Sequence, residues 1–243
     1  MKHIYLDKFF LFFLLVIIIT GSFNSFFPFF SLLFLHELGH AITGIIKGYK
    51  LDKITFYPYG GVTSFNMPLN TPLKDELLIL IMGPITQVIA YLILKNYFND
   101  LELYHYTLLI FNLLPIYPLD GGKILNIFCS YFCNYLVSIK ISFYFSFLIL
   151  IILFIYNIHN FNLNMILMII ILFTKLISYY KKRSFYYNRF LLERHLYDYK
   201  FSKIKNIQSI SDFFRDKKHY VNFKDEKEVL KEYFGKIVNK TQK

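Results

Sequence analysis

Residues 36–40 read His-Glu-Leu-Gly-His, an H-E-x-x-H pattern inside an apolar, helical run. At 3.6 residues per turn, imidazoles four positions apart share one helix face, so His36 and His40 can bind a single Zn2+ with Glu37 beside the metal-bound water. In a chain of this composition the number of such matches expected by chance is below about 0.01. The surroundings sharpen the reading, because an unpaired carboxylate inside a membrane span costs at least about 2.5 kcal/mol. Gly39 keeps the helix surface open near the metal.

A catalytic zinc commonly takes three protein ligands and leaves a fourth position for water. Asp120 is the outstanding third candidate. It is the only acid between Glu102 and Glu193, and it sits in Asn112-Leu113-Leu114-Pro115-Ile116-Tyr117-Pro118-Leu119-Asp120-Gly121-Gly122, where two prolines and two glycines interrupt a helix. A broken span is tolerated only where protein or a water-filled cavity satisfies its backbone groups. Taken alone, Asp120 would also serve as a helix cap. His105, near the external end of its span, reads as an interfacial side chain and His159 as part of an external loop. His3, His195 and His219 fall outside the spans and carry no site. Cys129 and Cys133 are the only cysteines, which excludes a disulfide framework or a thiolate zinc module and leaves two small apolar residues.

The elements that must carry these residues are membrane helices. Of 243 residues 56% are apolar and 18% charged, with 29 Phe, 21 Tyr and a mean hydropathy of +0.42. A soluble domain carries roughly a quarter charged residues, and a disordered chain lacks this much apolar surface. Residues 1–180 hold 10 Lys/Arg and 8 Asp/Glu, residues 181–243 hold 17 and 8, so +9 of the net +11 lies in the last quarter. The chain therefore divides into a membrane-embedded domain, 1–180, and a basic C-terminal tail, 181–243. Uncharged runs of about 20 residues cross a hydrocarbon core of about 30 Å. Residues 9–46 are long enough for two passes, turning at Thr20-Gly21-Ser22-Phe23-Asn24-Ser25. Residues 77–94, 103–119, 141–158 and 161–174 bring the count to about six. The fold class expected is thus all-α and polytopic. A cleaved signal peptide at residues 1–25 is disfavoured, because a second hydrophobic span follows at once.

With six passes both termini share a side. That side gathers Lys2, Lys8, Lys47, Lys50, Lys53, Lys74, Lys123, Lys140, Lys181, Lys182 and Arg183 against Lys95 alone on the other, so both ends are expected in the cytoplasm. The zinc then sits in the cytoplasmic half, roughly 15 Å from Lys47. Residues 54–65, β-branched and aromatic around a Gly60-Gly61 turn, read as a cytoplasmic β-hairpin whose edge could align an unwound substrate, or as a surface hairpin with no such role. In the tail, residues 189–198 are helical in character and 217–223 strand-like. Its charge suits anionic lipid at about 1 kcal/mol per residue. No nucleic-acid motif occurs there, and none is expected as a partner.

H-E-L-G-H on one membrane helix and N-x-x-P-x-x-P-L-D-G-G on a later one resemble the site-2 protease family, peptidase family M50, of intramembrane zinc metalloproteases. The resemblance covers about residues 30–127. It implies one Zn2+ held by His36, His40 and Asp120, Glu37 as catalytic base, and Asn112 as a polar residue near the substrate or its oxyanion. Gly83-Pro84 fits a family G-P-x-x-N pattern with Gln87 where Asn is usual, so no role carries over to Gln87. The size, the six spans and the basic tail look most like sporulation members of the family. That implies a membrane-associated precursor, the sigma-K precursor, as substrate, and admits membrane-bound regulatory proteins. Such members commonly end in a nucleotide-sensing CBS domain, and the 63 residues after Tyr180 are too few for a complete CBS pair. A divalent-cation transporter could use the same three ligands but gives Glu37 no task, and a silent adaptor would need no complete constellation.

Overall fold

The computed structural model describes residues 4–21, 23–57, 60–98, 100–201 and 203–241. Lys2 and His3, Ser22 of the expected turn, and Pro58 and Tyr59 of the stretch expected as a hairpin lie outside the described residues. The chain forms two compact units, one of residues 1–67, 74–114 and 119–121, the other of residues 68–73, 115–118 and 122–243.

The first unit runs β1 (Ile4–Leu6), α1 (Lys8–Thr20), α2 (Phe23–Ile46), β2 (Lys50–Tyr57), β3 (Gly60–Asn66), α3 (Leu73–Leu94), α4 (Leu101–Leu113) and the first two residues of α5 (Asp120–Phe132). Gly21, at φ 68°, ends α1 in a conformation that side chains with a Cβ rarely adopt. α2 then continues for 24 residues, about 36 Å, with Pro28 in its second turn. Its end is anchored by Lys47, whose Nζ lies 2.8 Å from Asp75 on the first turn of α3, and by Tyr49, whose hydroxyl donates to the same carboxylate at 3.1 Å.

β2 and β3 form the expected hairpin, antiparallel from Lys50↔Asn66 to Tyr57↔Gly60. The sequence reading did not anticipate β1, three residues that pair parallel with the other edge of β2. Ile54, Thr55 and Phe56 turn the sheet onto the helices. Phe56 is fully buried, its ring 5.2 Å from Phe30, 6.1 Å from Phe34 and 6.2 Å from Phe10. Burial of one such ring contributes about 1.5–3 kcal/mol. Leu32, Leu33, Ala90, Leu101 and Leu108 complete this core.

The second unit contains the rest of α5, then α6 (Tyr135–His159), α7 (Leu163–Lys181), α8 (Arg183–Leu196), β4 (Ile204–Ile207), a 3-10 turn (Ile210–Asp212), β5 (Lys218–Val221), β6 (Lys224–Asp225) and α9 (Glu226–Thr241). Asparagine caps start both apolar helices. Asn134 accepts from the Val137 amide at 2.9 Å, and Asn162 accepts from Asn164 and Met165. β5 pairs parallel with β4 and antiparallel with β6. Tyr135, Ile139, Phe190, Leu191, Phe213 and Leu230 form the core.

A fully buried Arg194 organises the polar interior of this unit. Its Nε donates to Asn70 Oδ1 at 2.6 Å. Nη1 donates to the Lys217 carbonyl and to Glu226 Oε1, both at 2.9 Å, and Nη2 to the carbonyls of Phe214, at 2.8 Å, and Arg215. His219 Nε2 accepts from the Phe214 amide at 3.0 Å, leaving Nδ1–H to face Glu226 Oε2 at 3.2 Å. The strap of residues 68–73 joins in: Glu193 Oε2 accepts from the Leu69 amide at 2.7 Å, and Asp216 from the Leu73 amide at 3.1 Å.

Four helices of the described chain, α2, α3, α6 and α7, are long and apolar enough to cross a membrane. α1 and α4 have 13 residues each, about 20 Å, because Gly21 stops the one and Pro115 follows the other. The protein is mostly helical, as expected, and its β-structure extends beyond the expected hairpin. Two three-stranded sheets are present, one of them within the expected tail. The expected helix and strand of that tail are α8 and β5, the helix beginning at Arg183, six positions earlier than the sequence indicated.

Candidate metal centre

α2 delivers His36, Glu37 and His40 from consecutive turns, all three buried. Asp120 comes from the first turn of α5, after the chain leaves α4 at Leu113 and passes the two prolines. A carboxylate at a helix N-terminus is stabilised by the backbone amides and dipole there. Gly121 packs against the carbonyls of Leu113 and Leu114, where no Cβ would fit, so the turn bearing Asp120 folds tightly back on the end of α4. Asn112 is buried in the last turn of that helix.

His36 Nε2 and His40 Nε2 each lie 3.0 Å from Asp120 Oδ2 and 3.2 Å from each other. Four ligands set tetrahedrally at the usual zinc–nitrogen and zinc–oxygen distances are about 3.3 Å apart. The triangle thus has the dimensions of three ligands on one zinc. The outer nitrogens specify what the inner ones offer. His40 Nδ1 donates to the Ile79 carbonyl at 2.7 Å and His36 Nδ1 to Gln87 Oε1 at 3.0 Å. In its neutral form each ring so bonded turns a bare Nε2 lone pair inward, towards a carboxylate oxygen. Three such acceptors at 3.0–3.2 Å repel one another unless a proton or a metal cation lies among them. The donor set, two imidazoles and a carboxylate, is one that zinc takes in catalytic sites.

The Glu37 carboxylate lies within 4.8 Å of both imidazoles, farther out than Asp120. Thr63 of β3 donates to its Oε2 at 2.6 Å, and Gly61 of the same strand lies flat against it where a Cβ would collide. The hairpin is thus part of the site. Gly83 on α3 likewise leaves room for the His40 ring, again where a side chain would clash.

The structure therefore joins His36, His40 and Asp120, with Glu37 beside them. His105, expected as an interfacial side chain, is buried against protein, stacked on Tyr91 at 4.3 Å, with its carbonyl accepting from Gln87. Thr63, Gly61 and the Ile79 carbonyl escaped the sequence reading. Only the assignment of residues 54–65 as a hairpin hinted at Thr63, since nothing in a Val-Thr-Ser stretch marks one hydroxyl as a carboxylate partner.

Residues 25–98 match the profile of peptidase family M50, a segment that holds His36, Glu37, His40 and Gln87 and stops short of Asn112 and Asp120. Stage IV sporulation protein FB of Bacillus subtilis is 26% identical over 192 residues, covering 73% of this chain and 66% of the relative. A zinc metalloprotease of Methanocaldococcus jannaschii is 36% identical over 121 residues, 44% of this chain and 35% of its own length. The chain thus spans under two thirds of either relative. The solved structure of the site-2 protease from Methanocaldococcus jannaschii aligns with a TM-score of 0.58 at 29% identity, covering 74% of this chain and 92% of that one.

Proposed function

We propose that this protein, whose residues 25–98 match peptidase family M50 and whose fold resembles the site-2 protease, is an intramembrane zinc metalloendopeptidase that cuts a membrane-associated precursor protein. The observation that carries the reading is the convergence of His36 Nε2, His40 Nε2 and Asp120 Oδ2 within 3.2 Å.

When bound, one zinc per chain would supply a Lewis acid and a water acidic enough to attack at neutral pH. His36, His40 and Asp120 hold it. Glu37 takes the proton of the attacking water and passes it to the departing amine. Thr63 fixes Glu37 by its hydrogen bond to Oε2, and Asn112 supplies a donor to the developing oxyanion. A helical substrate hides its carbonyls in its own hydrogen bonds and must unwind to be cut. β3 is an edge strand of its sheet, and an extended substrate could add to it beside Glu37.

In the membrane we count six passes, the short α1 and α4 completing those of α2, α3, α6 and α7, with the domain division at 180/181 and both termini cytoplasmic. The exposed basic residues of 181–243, which exclude the buried Arg194, then face anionic lipid. The likeness to a sporulation protein supports a sigma-K precursor as the substrate and membrane-bound proteins as regulators. A cation transit site would use the same ligands and leave the Glu37–Thr63 pair without purpose. Co-expression with a sigma-K precursor tests the reading: cleavage is expected from the wild type, and none after metal chelation or with Glu37→Gln, which retains zinc. Full processing by Glu37→Gln would overturn it.

A further inference from the structure

We propose that Gln87 is the positioning residue that decides which nitrogen of His36 faces the metal, an inference that rests on the zinc reading above. Gln87 is fully buried on α3, one helical turn beyond Gly83. Its Nε2 donates to the His105 carbonyl at 3.0 Å. That bond fixes the amide, because the reverse orientation would set Oε1 against a carbonyl and an NH2 group against His36. Oε1 therefore faces His36 Nδ1 at 3.0 Å and requires a hydrogen there.

The consequence reaches the ligand side of the ring. With its hydrogen on Nδ1, His36 offers Nε2 as a lone pair. With the hydrogen on Nε2 instead, the ring would donate to Asp120 Oδ2, 3.0 Å away, and the two would satisfy each other without a cation. Gln87 thus holds the ring in the form that binds metal. His40 receives the same instruction from the backbone carbonyl of Ile79, which no substitution removes. Only His36 depends on a side chain. The His105 platform is itself held by stacking on Tyr91, 4.3 Å between centroids and 10° between planes.

The test compares two near-isosteric variants of the full-length protein in detergent, each titrated with Zn2+ against a competing chelator. Gln87→Met loses both hydrogen bonds and is expected to weaken zinc binding about 10–100-fold, the usual effect of removing a partner of a metal-bound histidine. Gln87→Glu loses the same donor to His105 but restores an acceptor at His36, and is expected to bind zinc within about threefold of the wild type. Wild-type affinity in Gln87→Met, or equal weakening in both variants, would overturn the inference, since Gln87 would then act only through packing or through His105. If Gln87→Met does not fold, Gln87→Glu decides alone, a loss beyond tenfold counting against the proposal. A wild-type protein that binds no zinc at all defeats the underlying metalloprotease reading, an outcome separate from the previous two.

Discussion

The two units each bury a polar cluster, and the clusters are built on opposite plans. Around Asp120 three acceptor atoms face one another at 3.0–3.2 Å, their rings held in that form by outer partners on α3. Around Arg194 a guanidinium is met on every nitrogen by carbonyls, an amide oxygen and the Glu226 carboxylate. The first arrangement is incomplete without a cation from outside. The second carries its own. Burial of ionisable groups alone therefore does not mark a reactive centre; the inventory of donors against acceptors does.

If that contrast is right, the largest effect belongs to Asp120→Ala, which should abolish zinc binding and cleavage together, as metal analysis of the purified protein would register. Retention of stoichiometric zinc would break the contrast at its root. Glu37→Gln comes next: cleavage should fall by about 10²–10⁴-fold, the range of general acid–base catalysis, with zinc content unchanged. In the other cluster Arg194→Met strands the Glu226 carboxylate, and a buried pair broken in this way costs about 3–5 kcal/mol. Denaturant unfolding followed on the second unit should show that loss while zinc stoichiometry stays at wild type. Thr63→Val removes one hydrogen bond to a carboxylate, worth about 1.5–3 kcal/mol, so cleavage should slow at least about tenfold with zinc affinity intact.

The smallest effect is one of pH. Burial holds His219 below its ordinary value, partly offset by its hydrogen bond to Glu226. Burial would raise Glu226, but the bonds from His219 and the charge of Arg194 outweigh it and keep the carboxyl low. As pH falls below about 6.5 the unfolded chain takes up a proton that folded His219 refuses, so the stability of the second unit declines with acidification. Protonation of Glu226 adds to the decline below about 4.5. A melting-temperature series from pH 7.5 to 5.5 should slope downward, and His219→Gln should flatten it.

The proposed ligands were legible in the sequence because their signals are local or scarce. His36 and His40 declare themselves by a four-residue spacing, and Asp120 by being the lone acid in a long apolar stretch broken by prolines. The hairpin showed in the Gly60-Gly61 pair between β-branched residues. What could not be read depends on partners distant along the chain. Gln87 departs from the family pattern, and its bonds to His36 and His105 exist only once α2, α3 and α4 have packed. Arg194 lies among 17 basic residues and resembles any solvated charge; several of its acceptors are backbone carbonyls, which carry no side-chain signature. β1 is three residues long and gains its identity from β2.

The strap of residues 68–73 has a practical corollary. Its amides at Leu69 and Leu73, and the Asn70 side chain, end on Glu193, Asp216, the Phe190 carbonyl and Arg194, all beyond residue 180. A version shortened at Tyr180 to aid expression would strip those contacts from the peptide that leads directly into α3. Trimming the C-terminus is consequently a change to the protein's interior bonding, and assays on such shortened forms would describe a different molecule.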